Sequence, residues 1–300
     1  MNNDTAARIL RAFAHRWLDK TELDTKRNLR KLVEFGCYFS ASPQLRKFFR
    51  ESRNILNDNK SKYYLLAHDL TKSVDKSRTA EFGITFGYYG LAKEIEKASS
   101  HNSAKDGENH FVGVITGNEG QGVSNADELK ERIFKLAQSG VTVFFIFCGK
   151  SSIKSTELKS IIDAYPQKAF FIFTDSDDIA MSISQKNIMP VLDLKSGSYD
   201  LISNKLRSQE RLYGGYYRYN DETSDEIITK AFLNNVYEKN CLFLFLIEDI
   251  GCSQSSHDKV NNFSYHQKRK PSYPVFVTEL FGDLKWLNES VGTEKNPDAR

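Results

Sequence analysis

The second half of the sequence contains short, continuous runs of apolar residues, and these runs restrict the fold more than any other feature. Six of them have the length of a β-strand: Phe111–Thr116, Val141–Phe147, Ala169–Thr174, Ile188–Leu194, Cys241–Ile247 and Tyr273–Leu280. Apolar and polar residues do not alternate within them, which is typical of parallel strands covered on both faces. Helix-forming segments separate most of the runs, so the sequence predicts an α/β fold of parallel β/α repeats.

The ends of these runs predict where a ligand would bind. Parallel strands joined by right-handed crossovers have their carboxyl ends on one side of the sheet. We therefore expect Thr116, Cys148, Thr174, Asp193 and Glu248 to lie along one edge, with the strands in chain order. Periodicity alone does not separate an open doubly wound sheet from a partial barrel, but both bind ligands at this edge.

The first third of the sequence has helical periodicity. Helices are predicted over 5–19, 22–39, 43–56, 62–72 and 77–98. A run of small polar residues follows, which gives three predicted parts: a helical region at 1–98, a linker at 99–110 and a β/α-repeat domain at 111–300. We expect the N-terminal helices to pack on the barrel through Phe13, Trp17, Phe48 and Phe49.

Composition excludes several classes of protein. The net charge is only +3, and the basic residues concentrated in 8–50 are interpreted as solvated helix faces. A nucleic-acid-binding module at residues 1–60 is the alternative to that interpretation. The sequence has no apolar run long enough to span a bilayer and no signal-peptide pattern, so we expect a cytoplasmic protein without a membrane partner. The four cysteines form no CxxC pair, which argues against zinc and against a disulfide framework.

Glycines provide the candidate binding residues. Gly117, Gly120 and Gly122 follow the first strand and precede a helix that Ser124 is predicted to cap. Such a loop can hold a phosphate at a helix N-terminus, or it can simply be a flexible connection, and it lacks the GxGxxG order. Gly149 begins a Gly-Lys-Ser triplet after the second strand. The triplet is not a Walker A motif, because Phe144 stands where that motif needs glycine.

Polar residues follow the other strands. Asp175 or Ser176 is predicted to cap a helix, and carboxylates follow at Asp193, Glu248, Asp249 and Glu279. Together these side chains could hold a hard cation, but solvated turn carboxylates are the commoner case, so no metal is assigned. The Tyr- and Gly-rich segment Leu212–Tyr219 is interpreted as a loop, either a lid or a packed connection. His257 and His266 are placed in a polar loop without a catalytic role.

The order of these segments resembles a subgroup of the radical SAM proteins over most of residues 60–291. Phe82-Gly83-Ile84-Thr85-Phe86-Gly87-Tyr88 is similar to the FGINLGY-type stretch of that subgroup. Cys148–Ser151 stands where the family has the Gly-Gly-Glu-Pro motif, which contacts the amino group of S-adenosylmethionine. Phe173–Asp177 resembles the family's FTNGT segment, and Tyr273–Val291 resembles its approach to a C-terminal cysteine-bearing extension. The resemblance implies a partial (β/α)6 TIM-like barrel and places Gly149 at the cofactor motif.

The departures from the family argue against its activity. Radical SAM enzymes hold a [4Fe–4S] cluster with CxxxCxxC after strand one, and Gly117–Gly122 contains no cysteine. We therefore expect no cofactor and a non-catalytic protein that binds a protein or peptide partner, such as an active radical SAM enzyme. The alternative is an enzyme of another class. It would bind a phosphate- or nucleotide-type ligand at the Gly117–Gly122 loop and use the carboxylates of the edge as acid–base or metal groups.

Overall fold

The computed structural model describes residues 3–21, 24–39, 43–92, 112–117, 122–123, 125–148 and 153–285. The N-terminal region consists of α1 (Asn3–Thr21), α2 (Thr25–Phe39), α3 (Pro43–Asn57), α4 (Tyr63–Ser73), α5 (Lys76–Gly83) and a π-helix (Ile84–Ala92). The strands are β1 (Val112–Ile115), β2 (Val143–Cys148), β3 (Ala169–Thr174), β4 (Ile188–Asp193), β5 (Gly214–Tyr219), β6 (Phe243–Glu248) and β7 (Phe276–Glu279). The helices between them are α6 (Ala126–Gln138), α7 (Ser155–Asp163), α8 (Asp177–Ser182), α9 (Tyr199–Ser208), α10 (Ser224–Ile227), α11 (Lys230–Glu238) and α12 (Gln254–Arg269).

The seven strands form one parallel sheet in the order β1-β2-β3-β4-β5-β6-β7. Helices alternate with the strands, and the sheet curves into a half-barrel. The predicted fold class is therefore confirmed: an α/β partial TIM-like barrel that follows an all-helical N-terminal region. The predicted linker at 99–110 lies outside the described residues.

The carboxyl ends of the strands lie on one edge, as predicted. Cys148 pairs with Thr174 across β2 and β3, and Asp193 pairs with Tyr216 across β4 and β5. Glu248 pairs with Tyr219 across β5 and β6. We call this side the carboxyl edge and the opposite side the amino edge.

The sheet has one strand more than the sequence predicted, because Leu212–Tyr219 is not a loop. Its residues 214–219 form β5, which joins β4 to β6. Glycine is needed there for close packing. A Cβ atom at Gly215 would lie 2.8 Å from the sulfur of Cys241 and 3.1 Å from Cγ of Leu194. The glycines that suggested a loop instead allow a strand to sit in a crowded sheet.

The concave face of the sheet is filled with aromatic rings. Phe145 and Phe171 stack with centroids 4.5 Å apart, and Phe147 and Phe173 stack at 4.3 Å. From the far side of the half-barrel, Phe245 of β6 reaches Phe171 at 5.6 Å. Offset and edge-to-face rings at these distances pack well, so the interior is a solid core rather than a channel.

Helices α6 to α12 cover the convex face. Their buried side chains, such as Ile133, Leu158 and Val260, pack against the outward-facing residues of the strands. Asn125 caps α6, so the predicted cap at Ser124 is wrong, and Ser124 itself lies outside the described residues. Ser176, one of the two predicted caps, accepts a hydrogen bond from the backbone of Ile179 at the start of α8.

The helices nearest the barrel close its amino edge. Val74, Phe82 and Phe86 join the concave core, and the two rings lie 5.4 and 5.3 Å from the Phe171 ring. The loops at the start of the strands are tied to the same helices. The backbone N–H of Asp75 donates to Glu210 O, for example. These contacts cover the amino edge of the described sheet.

The predicted contact between the barrel and the first three helices is wrong for the residues named. Phe13 stacks on Phe35 of α2 at 4.2 Å, and the indole of Trp17 donates to the carbonyl of Asn28. Phe49 packs with the small cluster around Val33, and Phe48 is 56% exposed. These rings hold the N-terminal helices to one another, while α4, α5 and the π-helix contact the barrel.

Part of the basic charge of the N-terminal helices is used within the fold. Arg30 donates to the hydroxyl of Tyr64 and to Leu56 O, and Arg11 pairs with Glu81 at 3.0 Å. Among the described residues, no helix is long and apolar enough to cross a membrane.

Candidate functional site

Two of the candidate glycines, Gly117 and Gly122, lie at the carboxyl edge. Gly117 follows the strand and Gly122 precedes Val123, whose backbone N–H donates to Phe147 O at 2.7 Å. That hydrogen bond places Gly122 beside the end of β2. The other two candidate glycines, Gly120 and Gly149, lie outside the described residues.

The start of α6 is poorly suited to an anion. Two backbone N–H groups of its first turn, those of Asp127 and Glu128, already donate to the side chain of Asn125. The carboxylates of the same two residues lie in the first helical turn. An anion at this terminus would meet two negative charges and fewer free donors, which weakens the usual attraction of a helix N-terminus.

The cysteine at the carboxyl edge is not available as a ligand. Cys148 ends β2, but its side chain belongs to the convex core and is 1% exposed. Burial raises the pKa of its thiol to about 12, so the thiol is protonated at neutral pH. An iron–sulfur cluster needs thiolates, and the described residues at this edge do not fit one.

Arg218 lies on the concave side of the carboxyl edge. From β5 it reaches across the mouth of the half-barrel to the ring of Phe147 in β2, 5.6 Å from its guanidinium carbon. Its Nη1 lies 3.6 Å from a carboxylate oxygen of Asp249, and both side chains are about one-third exposed, at 32% and 39%. An arginine placed over an aromatic ring presents a planar fork of donors whose geometry matches a planar anion.

Carboxylates surround this arginine. Asp193 ends β4 and accepts a hydrogen bond from the backbone N–H of Lys195 at 2.9 Å. Its carboxylate interacts electrostatically with Asp175 and Arg218. Burial raises the pKa of Asp193, although the Lys195 backbone hydrogen bond and the nearby cations act the other way. The mouth of the half-barrel thus combines a guanidinium, three carboxylates and an aromatic floor. We call Asp175, Asp193, Arg218 and Asp249 the mouth cluster.

A second polar group lies on the convex side, under α12. His257 is on this helix rather than in a loop, and its Nδ1 lies 2.8 Å from Oε2 of Glu248. The histidine side chain is 18% exposed and the glutamate 35%. A carboxylate that holds one ring nitrogen of a histidine orients the other nitrogen, which is the arrangement of many general bases. His266 lies in the last turn of the same helix, so its predicted place in a loop is also wrong.

Glu279 is the most buried carboxyl of this group, with no exposed surface. The hydroxyl of Tyr219 donates to its Oε1 at 3.1 Å, and the backbone N–H of Gly282 donates to its Oε2 at 2.6 Å. Burial raises the pKa of Glu279, while the Gly282 hydrogen bond and the nearby His257 lower it. Burial and the charge of Glu279 also raise the pKa of Tyr219. These bonds join β5 to the end of β7.

The predicted edge carboxylates therefore fall into two separate groups. Asp193 and Asp249 belong to the mouth cluster, while Glu248 and Glu279 lie on the convex side. Across the described part of the chain, no group of three or more His, Cys, Asp or Glu side chains is arranged to hold a metal ion.

Sequence reasoning missed the two residues that organise these groups. Arg218 and Tyr219 lie in β5, which was interpreted as a loop. His257 was seen but lacked a partner, because its pairing with Glu248 depends on α12. The available signal was the pair Arg218-Tyr219 at the end of a segment of glycines and tyrosines. If that segment is a strand, the two side chains point to opposite faces of the sheet, one toward each polar group.

Comparison with known proteins adds no relative. No protein-family model matches the chain, and searches of curated proteins and of solved structures give no match either.

Proposed function

We propose that this chain is a radical-SAM-like barrel protein without the cluster site, which binds a protein or peptide segment at the mouth of its half-barrel. The observation that carries the proposal is Arg218, held over the Phe147 ring beside the carboxylate of Asp249 at the carboxyl edge.

The chemistry of the mouth cluster suits a peptide. Its guanidinium can bind a carboxylate in a bidentate manner, and its carboxylates can bind an ammonium or guanidinium group. The rings of Phe147 and Tyr216 lie in the buried core beside these charges and support the cluster from within. A segment that carries both acidic and basic side chains would satisfy all of these groups together, whereas a simple anion would meet three carboxylates.

The surroundings of Cys148 and Cys252 favour a role without radical chemistry. Besides the buried Cys148, Cys252 lies beside Asp221, and burial and that carboxylate raise the pKa of its thiol. Neither thiol has the electropositive surroundings of a reactive cysteine. The non-catalytic role stays a prediction, and the cytoplasmic location expected from the sequence stays one too.

A random peptide library displayed on phage tests the proposal. We expect wild-type protein to enrich a family of peptides with both charge signs, and Arg218→Gln to bind them at least about tenfold more weakly. Arg53→Gln is the matched control, because Arg53 is an exposed arginine on α3, far from the mouth in sequence. Equal binding by wild type and Arg218→Gln would refute the site, as would a failure to enrich any peptide.

Reconstitution with iron and sulfide under anaerobic conditions tests the second half of the proposal. We expect no stoichiometric [4Fe–4S] cluster and no reductive cleavage of S-adenosylmethionine. A full cluster that cleaves this cofactor would establish radical chemistry and overturn the non-catalytic role.

A second candidate is an enzyme of another class, and the Glu248–His257 pair favours it. Thermal-shift measurements with nucleotides, S-adenosylmethionine and divalent ions address this candidate. A ligand at 100 times its dissociation constant stabilises a protein by about 2.7 kcal/mol. A shift that disappears in His257→Gln would favour the enzyme, and the absence of any shift with all three classes would count against it.

A further inference from the structure

A pocket at the amino edge is lined by cations. It lies between the start of α5 and the loops that precede β4 and β5 and is partly open to solvent. Arg78, Lys186 and Arg211 line it together with Gln185. It is at the opposite edge of the sheet from the mouth cluster and from Gly117.

None of these cations is neutralised by a carboxylate within the described residues. Arg78 donates to Ser184 O, and Lys186 donates to the hydroxyl of Ser77. Arg211 is only 4% exposed and donates to three carbonyls at the end of α8, those of Ala180, Met181 and Ile183. All of these acceptors are neutral, and Lys186 is in addition exposed to solvent.

The charges also repel one another. Burial and, to a smaller extent, the nearby charge of Arg78 lower the pKa of Arg211 to about 10. Placing like charges together in a partly buried site is unfavourable unless an anion compensates them. Asp75 and Asp163 are the carboxylates closest in the hydrogen-bond network, but they bond to Arg78 N and to the Gln185 amide nitrogen, and neither lines the pocket.

Gln185 provides an independent observation. Its Nε2 donates to Asp163 at 2.7 Å, which fixes the orientation of the amide. The other end, Oε1, is buried and has no hydrogen-bond partner. A buried acceptor without a donor costs free energy. The pocket therefore lacks a hydrogen-bond donor for Gln185, and its cations lack a negative charge. One ligand that carries both a hydrogen and negative charge would supply the two.

We propose that this pocket binds a phosphate group, in which the oxygens pair with Arg78, Lys186 and Arg211 and a protonated oxygen donates to Gln185. Monohydrogen phosphate carries both features, whereas sulfate carries charge without a proton at neutral pH. The bound group would connect α5 to the loops before β4 and β5.

Isothermal titration calorimetry with inorganic phosphate tests the site, with sulfate and adenosine monophosphate in parallel at equal ionic strength. We expect phosphate to bind more tightly than sulfate. Arg78→Gln and Lys186→Gln should each weaken phosphate at least about tenfold, as the loss of a charge-assisted hydrogen bond predicts. Arg78→Lys should retain most of the affinity, and Lys205→Gln, at an exposed lysine on α9, is the control that should not change it.

The arms separate the possible sources of the phosphate group. Tighter binding of adenosine monophosphate identifies a phosphate on a larger ligand, and tighter binding of inorganic phosphate identifies the free ion. Absence of phosphate binding by wild type, equal binding by Arg78→Gln, or equal affinity for sulfate would overturn the proposal. Circular dichroism on each variant verifies that it is folded.

Discussion

The two edges of the same sheet are built in different ways. At the amino edge, α4, α5 and the π-helix pack Val74, Phe82 and Phe86 into the concave core and bond to the loops before the strands. At the carboxyl edge, the strands end in Asp193, Glu248 and other polar residues that are partly exposed. The comparison indicates that helices cover the amino edge, while polar strand ends make up the carboxyl edge.

The division follows from what each edge must satisfy. Apolar rings at the amino edge gain from contact with a helix, and backbone groups there find partners in it. Charged side chains at the carboxyl edge lose hydration if they are covered, so they favour an open surface. Substitutions on the amino side should therefore alter the free energy of unfolding more than substitutions on the carboxyl side.

Replacing Phe171 should have the largest effect. Its ring contacts Phe82, Phe86 and Phe245 and joins the helical cover to the sheet. We expect Phe171→Ala to lower the free energy of unfolding by about 3–5 kcal/mol, measured by urea denaturation. Phe134→Ala is the control, because Phe134 is 52% exposed on α6 and should cost about 1 kcal/mol or less. Similar losses for both would break the comparison.

Arg211 tests the polar part of the amino edge. Arg211→Met removes the donor of three carbonyls at the end of α8, two of which accept in buried hydrogen bonds. We expect a loss of about 2–4 kcal/mol in phosphate-free buffer, because buried acceptors are left without partners. Lys205→Met on α9 should change stability by less than about 0.5 kcal/mol. An unchanged Arg211 variant would show that the carbonyls find other donors.

Glu279 sharpens the comparison through pH. Burial raises its pKa in the folded protein, so the folded state holds this proton more tightly than the unfolded chain does. The resulting stability is fully present below the unfolded pKa of about 4.3 and is lost as the pH rises through the folded pKa. The free energy of unfolding of the wild type should therefore fall with rising pH relative to that of Glu279→Gln. Denaturation at several pH values would contradict this if the difference were flat or had the opposite sign.

Asp249 should have the smallest effect on stability. It is 39% exposed, and its contact with Arg218 is 3.6 Å long. Exposed ion pairs contribute little, so we expect Asp249→Asn to change the free energy of unfolding by less than about 1 kcal/mol. The same variant should alter peptide binding at the mouth. A stability loss as large as that of Arg211→Met would mean that the carboxyl edge is structural as well.

The strands that sequence reasoning recovered share one property. Val143–Cys148 and Ala169–Thr174 are fully buried runs with almost no polar residue, and continuous apolar runs of that length are what a covered parallel strand requires. The ends of such runs predicted the carboxyl edge, including Asp193 and Glu248. The parallel β/α repeats and the position of the edge therefore follow from local sequence, whereas the partial barrel was expected from the family resemblance.

The parts that were missed depend on tertiary contacts. β5 begins with two glycines and contains an arginine. It is a strand because it pairs with β4 and β6, and Gly215 is accommodated where a side chain would meet Cys241. α12 has few apolar residues and faces the sheet with Ser256, Val260 and Ser264. Small polar residues leave no apolar stripe in the sequence, so the helix and the pairing of its His257 with Glu248 were not predictable from periodicity.

The consecutive order of the strands has a consequence for how the chain folds during synthesis. Each strand pairs with the one made just before it, so the sheet can lengthen by one β/α unit at a time with short loop closures. Arg78, in contrast, is synthesised before any strand, and its hydrogen-bond acceptor Ser184 O is synthesised 106 residues later. Until β3 emerges from the ribosome, Phe82 and Phe86 lack their partner Phe171. The nascent chain therefore exposes these rings at the stage when chaperones bind apolar segments.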